Sequence, residues 1–361
     1  YISHERSSYI ISEFELTMEK DTLPETSLTR AINPSPFVPY NRLKRDKRCQ
    51  DIINIQTQGL KTRISHIGIK NVVIGVSGGL DSTLALLIAD KTFDLLHLDK
   101  SGIIGVTMPC FGTTDRTYNN SLSLAKCLGI TFKEIPIKEA VELHFKDIGQ
   151  DIDNHDITYE NSQARERTQV LMDLANMYNG IVIGTGDLSE LALGWATYNG
   201  DHMSMYGVNS SVPKTLVRHL VAYFANEAKD NELKRVLNDI LDTPVSPELL
   251  PPKDGRIAQV TEDIVGPYEL HDFFLYNIVR YGFRPAKVYR LAKVAFADKY
   301  DDEIILKWLN TFYRRFFSQK FKRSSLPDGP KVGSVTLSPR SDWRMPSDAL
   351  ATIWLEELKE L

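Results

Sequence analysis

The chain is poor in cysteine. Cys49, Cys110 and Cys127 are the only three in 361 residues. So sparse and odd a set excludes a disulfide scaffold and a cysteine-rich zinc site, and it fits a reducing, cytoplasmic setting. An excess of one charge is also missing: 43 Lys and Arg face 47 Asp and Glu, and the net charge of -4 argues against a dedicated nucleic-acid binder. No apolar run approaches the roughly 18–20 residues of a membrane span. With 42% hydrophobic and 25% charged residues, and with Gly 21 and Pro 17, wholesale disorder, collagen and coiled coil are excluded as well. What is left is an ordinary soluble globular composition, long enough for two domains or one large one with appendages. The first residue is Tyr1 rather than Met, which suggests a fragment or a processed product.

Residues 1–30 are a poor independent unit. Residues 9–16 alternate partly like a strand and residues 21–29 are polar, so the piece reads as an arm or as the tail of something upstream. Residues 31–40, with Pro34, Pro36 and Pro39, read as a linker. From residue 41 the texture changes. A helix with apolar Ile52, Ile53, Leu60, Ile64 and Ile67 leads to the apolar run 71–76, and such runs suit buried strands. Strand signals recur at 102–106, 131–137 and 181–184, and helical ones at 80–89, 116–128 and 160–178. Strands alternating with helices predict an α/β fold, a doubly wound parallel sheet with covered faces. Beyond Lys214 the pattern is helical (216–229, 232–241, 270–280, 286–296 and 303–317), which predicts a helical C-terminal extension from about 270.

Chemistry first surfaces just after the first strand. Gly75, Val76, Ser77, Gly78, Gly79, Leu80, Asp81 and Ser82 carry the chain from strand through two glycines into a helix. Glycines let the backbone turn and approach a ligand closely, and the N–H groups of a starting helix favour an anion. The Lys of a Walker A loop is missing, and G-x-G-x-x-G does not fit. The run S-G-G-x-D-S instead resembles the PP-loop of ATP pyrophosphatases, which implies their adenine nucleotide alpha-hydrolase-like fold. Asp81 beside a polyphosphate would be repulsive without a divalent cation, so the loop implies Mg²⁺. The plainer alternative is a glycine turn with a carboxylate favoured by the helix dipole.

The second motif narrows the reaction. Residues 184–198 read GTGDLSELALGWATY, with NGDHMS at 199–204, VPKT at 212–215 and NSQARER at 161–167. Together with FKRSSLPDGPK at 321–331 and SPRSDWR at 338–344, they resemble NAD synthetase, specifically the synthetase part of its glutamine-dependent form, over residues 40–361. The resemblance implies a ligase that amidates deamido-NAD: the nicotinate carboxylate attacks the α-phosphorus of ATP, and ammonia then attacks the acyl-adenylate to give NAD and AMP. Gly75 through Ser82, Thr185, Lys214 and Ser246 would contact ATP. Asn161, Arg165, Glu190, Trp195, Ala196, Thr197, Tyr198 and Lys322 would contact deamido-NAD. Asp81 and Glu190 would hold Mg²⁺, with Glu190 divided between metal and substrate, and Asp81 and Lys214 would be catalytic. The long form carries a nitrilase-like glutaminase upstream. Residues 1–30 resemble the end of such a domain, and none of the three cysteines suits its nucleophile. A linked or separate glutaminase partner and a homo-oligomer follow from the resemblance alone.

Bland alternatives stand beside these. Arg165 and Arg167, two apart on a helix, face different sides, so one of them is a surface charge. Trp195 and Tyr198 suit a core as well as a substrate pocket. Tyr313, Phe316, Phe317 and Phe321 recur at helical spacing and should face a core, while Lys322 lies beyond that pattern. His202 and His219 lack partners at metal spacing. Competing functions are another PP-loop amidating synthetase or a catalytically inactive adenylate-binding subunit.

Overall fold

A computed structural model describes residues 12–15, 27–244, 246, 249–251 and 261–361. The chain divides into two units, Tyr1–Ala31 and Ile32–Leu361. Of the strand expected at 9–16, residues 9–11 and 16 lie outside the described residues, and residues 12–15 have no regular structure. Of the short motif around Ser246, Val245, Pro247 and Glu248 lie outside them too.

In the second unit, helix α1 (Arg42–Ile67) precedes strand β1 (Asn71–Gly75) and helix α2 (Leu80–Leu96). Next come β2 (Ile103–Thr107), α3 (Asp115–Leu128), β3 (Thr131–Glu134), α4 (Lys138–Ile148), α5 (Ile157–Met177) and β4 (Gly180–Gly184). The expected strands are all present, with β3 ending three residues early. Helix α4 and the two-residue strand β5 (Tyr206–Gly207) were not anticipated. All five strands are parallel in the order β3-β2-β1-β4-β5, with Val72 level with Ile103 and Ile181.

Alternation along each strand decides which layer a residue joins. Val72, Ile74, Ile103, Ile181 and Ile183 pack against α1, α2 and the later helices α7 (Lys214–Glu227) and α8 (Asn231–Leu241). Val73, Ile104, Val106 and Val182 pack on the opposite face, against α4 and α5. The doubly wound sheet is therefore as the sequence predicts. Ile67 is an exception in α1, lying exposed at the helix end.

The helical C-terminal extension forms its own core. Helix α6 (Leu188–Leu193) joins α9 (Thr261–Val265), α10 (Tyr268–Leu275), α11 (Pro285–Ala295), α12 (Asp302–Ser318) and α14 (Thr352–Lys359) there, and the short α13 (Lys320–Arg323) follows α12. A π-helical turn, Tyr276–Arg280, continues α10, so the helix expected at 270–280 is one α segment followed by a wider turn. Tyr313, Phe316 and Phe317 face this core, but Phe321 is 43% exposed. Lys322 sits within α13 rather than in an irregular stretch. Among the described residues no helix is long and apolar enough to cross a membrane, and all three cysteines are free thiols.

Candidate active site

The strand order reverses between β1 and β4, because β2 and β3 extend to one side of β1 while β4 and β5 extend to the other. In such sheets the connections after these two strands diverge, leaving a crevice at their carboxyl ends. Here a cleft of about 700 Å³ opens there. It is lined by Gly75, Val76, Ser77, Gly79, Leu80, Asp81 and Ser82 from one connection and by Thr185, Gly186 and Glu190 from the other.

The first connection has the geometry of an anion cradle. Ser77 and Ser82 hydroxyls meet at 3.1 Å, and the Ser77 hydroxyl accepts the Gly79 N–H at 3.3 Å, which closes the loop on itself. Gly79 is the N-cap of α2 and offers no side-chain cap, so the first N–H groups of that helix keep their binding capacity. Gly78 does not line the cleft but shapes it. Its φ is 78°, and a Cβ there would lie 2.8 Å from the Thr117 carbonyl carbon and nearer still to its oxygen. Glycine is thus required twice over, by conformation and by space.

The second connection brings charge. Asp187 caps α6 in a reciprocal box: its Oδ1 accepts the Glu190 N–H at 2.8 Å, while Glu190 reaches back to the Asp187 N–H. Lys214, the first residue of α7, extends its ammonium among three carboxylates. Nζ lies 2.6 Å from Asp81 Oδ2, 2.9 Å from Asp187 Oδ2 and 2.8 Å from Glu190 Oε1. Burial pushes Glu190 up to about 7, against the pull of Lys214 and with added repulsion from Asp81. Asp187, fully buried, is raised well above the usual carboxylate range, again chiefly by burial. Burial by itself would lower the Lys214 pKa, but Asp187, Asp81 and Glu190 outweigh it and hold it well above the usual range. The cluster therefore keeps its cation, while burial favours the neutral forms of Asp187 and Glu190.

These acids could also hold a cation. Ligand oxygens of Asp81, Asp187 and Glu190 all lie within 4.8 Å of one another. Asp81 Oδ1 is buried without a hydrogen-bond partner, an unmet acceptor of the kind a hard divalent ion takes.

The far wall of the cleft is the segment after α6. Helix α6 ends at Gly194, whose φ is 60°. The Lys322 ammonium donates to the carbonyls of Gly194 at 2.8 Å and Ala196 at 2.6 Å. Thr197 is held from two sides: its hydroxyl donates to Asn161 Oδ1 at 2.7 Å, and its N–H to Asp201 at 2.7 Å. Arg165 Nε donates to the Tyr198 carbonyl at 3.3 Å. The Arg315 guanidinium lies 5.3 Å from the Trp195 ring centre.

A family model described as NAD synthase matches residues 52–301, more than half of the chain. The chain belongs to the NAD synthase family. Among curated relatives, it is 44% identical to a glutamine-dependent NAD(+) synthetase of Mycobacterium leprae, over 92% of this chain and 52% of that one. The chain spans about half the length of the curated relatives it matches. Among solved structures, the glutamine-dependent NAD(+) synthetase of Cytophaga hutchinsonii superposes with a TM-score of 0.70 at 19% identity, covering 86% of this chain and 56% of that one. An NMN synthetase of Francisella tularensis gives 0.56 at 24% identity, covering 76% and 94%. At these identities the two structures speak for the shared fold.

Within the NAD synthase frame, the residues anticipated for both substrates converge on one cleft. Asn161, Arg165, Thr185, Glu190, Trp195, Ala196, Thr197, Tyr198, Ser246 and Lys322 all line it, and Lys214 reaches Asp81 and Glu190 at its floor. Of the arginine pair, one of which was expected to be a surface charge, Arg167 is half-buried and lines the cleft too, donating to the Met108 carbonyl at 3.3 Å, while Arg165 is the exposed one. Tyr198 is no core aromatic: it is 45% exposed and stacks on His202 with ring centres 5.2 Å apart. Trp195 does both jobs, touching the C-terminal core and the cleft.

Sequence reasoning missed two participants. Asp187 stood inside the quoted motif, and the D-x-x-E spacing of a capping box was its available signal. Asn209 had none. Its Nδ2 donates to the Asp81 carbonyl at 3.0 Å and the Thr185 carbonyl at 3.1 Å, tying the two connections together across the crevice.

Proposed function

We propose that this chain amidates deamido-NAD to NAD at the expense of ATP, releasing AMP and pyrophosphate. The observation that carries this reading is the Lys214 ammonium set among Asp81, Asp187 and Glu190, directly beside a backbone cradle, in the same cleft as the segment 195–198. Joining a carboxylate to a polyphosphate needs concentrated positive charge, because both reactants are anions. The cradle at Ser77–Ser82 would hold the pyrophosphate that leaves. Asp81 and Glu190, joined by Asp187, would hold Mg²⁺. Once bound there, the ion supplies charge neutralisation to the phosphates. Lys214 neutralises the charge that develops as the α–β bond breaks. Trp195, Ala196, Thr197 and Tyr198, braced by Asn161, Arg165 and Lys322, would seat the deamido-NAD, whose nicotinate carboxylate attacks the α-phosphorus. Ammonia attacks the resulting acyl-adenylate, a step that needs no protein nucleophile.

In the whole protein, ammonia would come from glutamine hydrolysed in a glutaminase linked upstream. Residues 1–30 would then be the end of that domain, residues 31–40 the linker, and residues 41–361 the synthetase, in a cytoplasmic homo-oligomer. The relatives named as glutamine-dependent and the chain's half-length match support the glutamine-dependent part of this reading.

The test is NAD formation from deamido-NAD, ATP and Mg²⁺, with ammonium and glutamine supplied in separate reactions. Activity with ammonium alone is expected. No activity with either, despite adenylate binding, would overturn the reading in favour of an inactive adenylate-binding subunit.

A further inference from the structure

The N-terminus of α7 carries Lys214, yet it has no cap of its own. Its N-cap is Pro213, which offers no side-chain acceptor, and the first N–H groups of a helix must be satisfied from elsewhere. Here they are satisfied by another lobe. The Lys214 N–H donates to Ser189 Oγ at 2.8 Å. The Thr215 N–H donates to Asp272 Oδ2 at 3.0 Å, and the Thr215 hydroxyl donates to the same oxygen at 2.6 Å. The Ser189 hydroxyl in turn donates to Asp272 Oδ1. One buried carboxylate on α10 thus gathers three donors from the starts of α6 and α7.

One turn earlier on the same helix, the ring of buried Tyr268 lies beneath the Lys214 ammonium, 5.3 Å from Nζ to the ring centre. The Tyr268 hydroxyl is buried without a hydrogen-bond partner, so the ring face is what the contact uses. The Lys214 side chain is therefore addressed from α10 directly, and its backbone through Ser189 of α6, which Asp272 holds. A lysine side chain has much rotamer freedom to lose, so an ammonium held to a fixed point needs its base and its tip constrained together.

We propose that Asp272 and Tyr268 are positioning residues for Lys214, through which the C-terminal lobe sets the geometry of the adenylation site. This rests on the function proposed above. A displacement of about 1 Å at a reacting group can cost about a hundredfold in rate, and an effect of that kind appears in kcat before it appears in substrate affinity.

The experiment measures kcat and both KM values with ammonium as nitrogen donor, on the complete chain, for Asp272→Asn, Tyr268→Leu, Tyr268→Phe and Thr215→Val. Asn keeps the shape of Asp272 but turns one acceptor into a donor. Asp272→Asn and Tyr268→Leu should each lower kcat about tenfold or more, with both KM values within about threefold. Tyr268→Phe keeps the ring and should match the unsubstituted chain. Folded Asp272→Asn or Tyr268→Leu with undiminished kcat would overturn the proposal, and so would a Tyr268→Phe as impaired as Tyr268→Leu. If Asp272→Asn does not fold, Thr215→Val decides: it removes one donor to Asp272 and leaves the N–H in place, so an unchanged kcat there is equally fatal. An unsubstituted chain inert towards deamido-NAD would overturn the functional reading and this inference with it. An active chain with indifferent variants overturns the inference alone.

Discussion

Three glycines separate the two demands placed on the phosphate loop. Gly78 has a φ of 78° and would drive a Cβ into the Thr117 carbonyl, whereas Gly129 has a φ of 66° with open space around it. Gly79 has an ordinary extended φ of -93°, and its added Cβ would only touch Ser77 Oγ at 3.4 Å. Gly129→Ala should then report conformation alone, a loss of about 1–2 kcal/mol. For Gly79→Ala, a weaker N-cap and a stiffer unfolded chain offset each other to within about 1 kcal/mol. Gly78→Ala adds an overlap of about 1–3 kcal/mol to the conformational cost, about 2–5 kcal/mol in all. The overlap is hard to relieve because Thr117 lies in the first turn of α3 and its carbonyl also accepts the Ser121 hydroxyl at 3.0 Å. Urea unfolding of the three variants measures these losses, and kcat/KM for ATP measures what the displaced loop costs in function, about a hundredfold for a shift near 1 Å. A Gly78→Ala chain no less stable than Gly129→Ala would refute the steric argument. One that kept its kcat/KM for ATP would remove the loop from the nucleotide site.

Asp187→Asn keeps an acceptor for the Glu190 N–H and removes one of the three carboxyl groups around Lys214. The chain should stay folded while its apparent Mg²⁺ affinity in the amidation assay falls about tenfold or more; an unchanged Mg²⁺ saturation curve would show that Asp187 only caps the helix. A third expectation concerns acid. His271 is buried, donates through Nε2 to the Val265 carbonyl at 2.6 Å, and is pushed down to about 4 by that burial. Between pH 6.5 and 4 the unfolded chain takes up a proton there that the folded chain refuses, so stability falls with pH, by about 3 kcal/mol at pH 4. Its neighbour Asp272, pushed up to about 6 by burial, acts with the opposite sign. The measured quantity is therefore the difference between the unsubstituted chain and His271→Gln, which should shift in favour of the variant as pH falls. A difference that stays constant from pH 7 to pH 4 would refute it.

Local chemistry made much of this protein readable in one dimension. Runs such as Val72, Val73 and Ile74, buried on both sides, mark parallel strands without any knowledge of their neighbours. The turn through Gly78 into α2 is written in the glycines and in Asp81, because a conformation with positive φ and an uncapped helix start are properties of a few consecutive residues. The motif at 184–198 was legible for the same reason, and its resemblance to the NAD synthase family pointed to the family that no spacing could name.

Tertiary structure decided what depends on distant segments meeting. Strand order placed the Gly78 loop and the Asp187 cap at one crevice, although about a hundred residues separate them, and α7 then delivered Lys214 between them. Whether Phe321 faced a core or solvent turned on where α12 ended, which helical spacing extrapolated one turn too far. Asn209, Tyr268 and Asp272 show no pattern of their own in the sequence. Each acts through contacts with residues more than twenty positions away. Burial and pKa belong to this second class as well. Desolvation is a property of the assembled surroundings, so the proton balance of the Lys214 cluster exists only once the two lobes have closed around it.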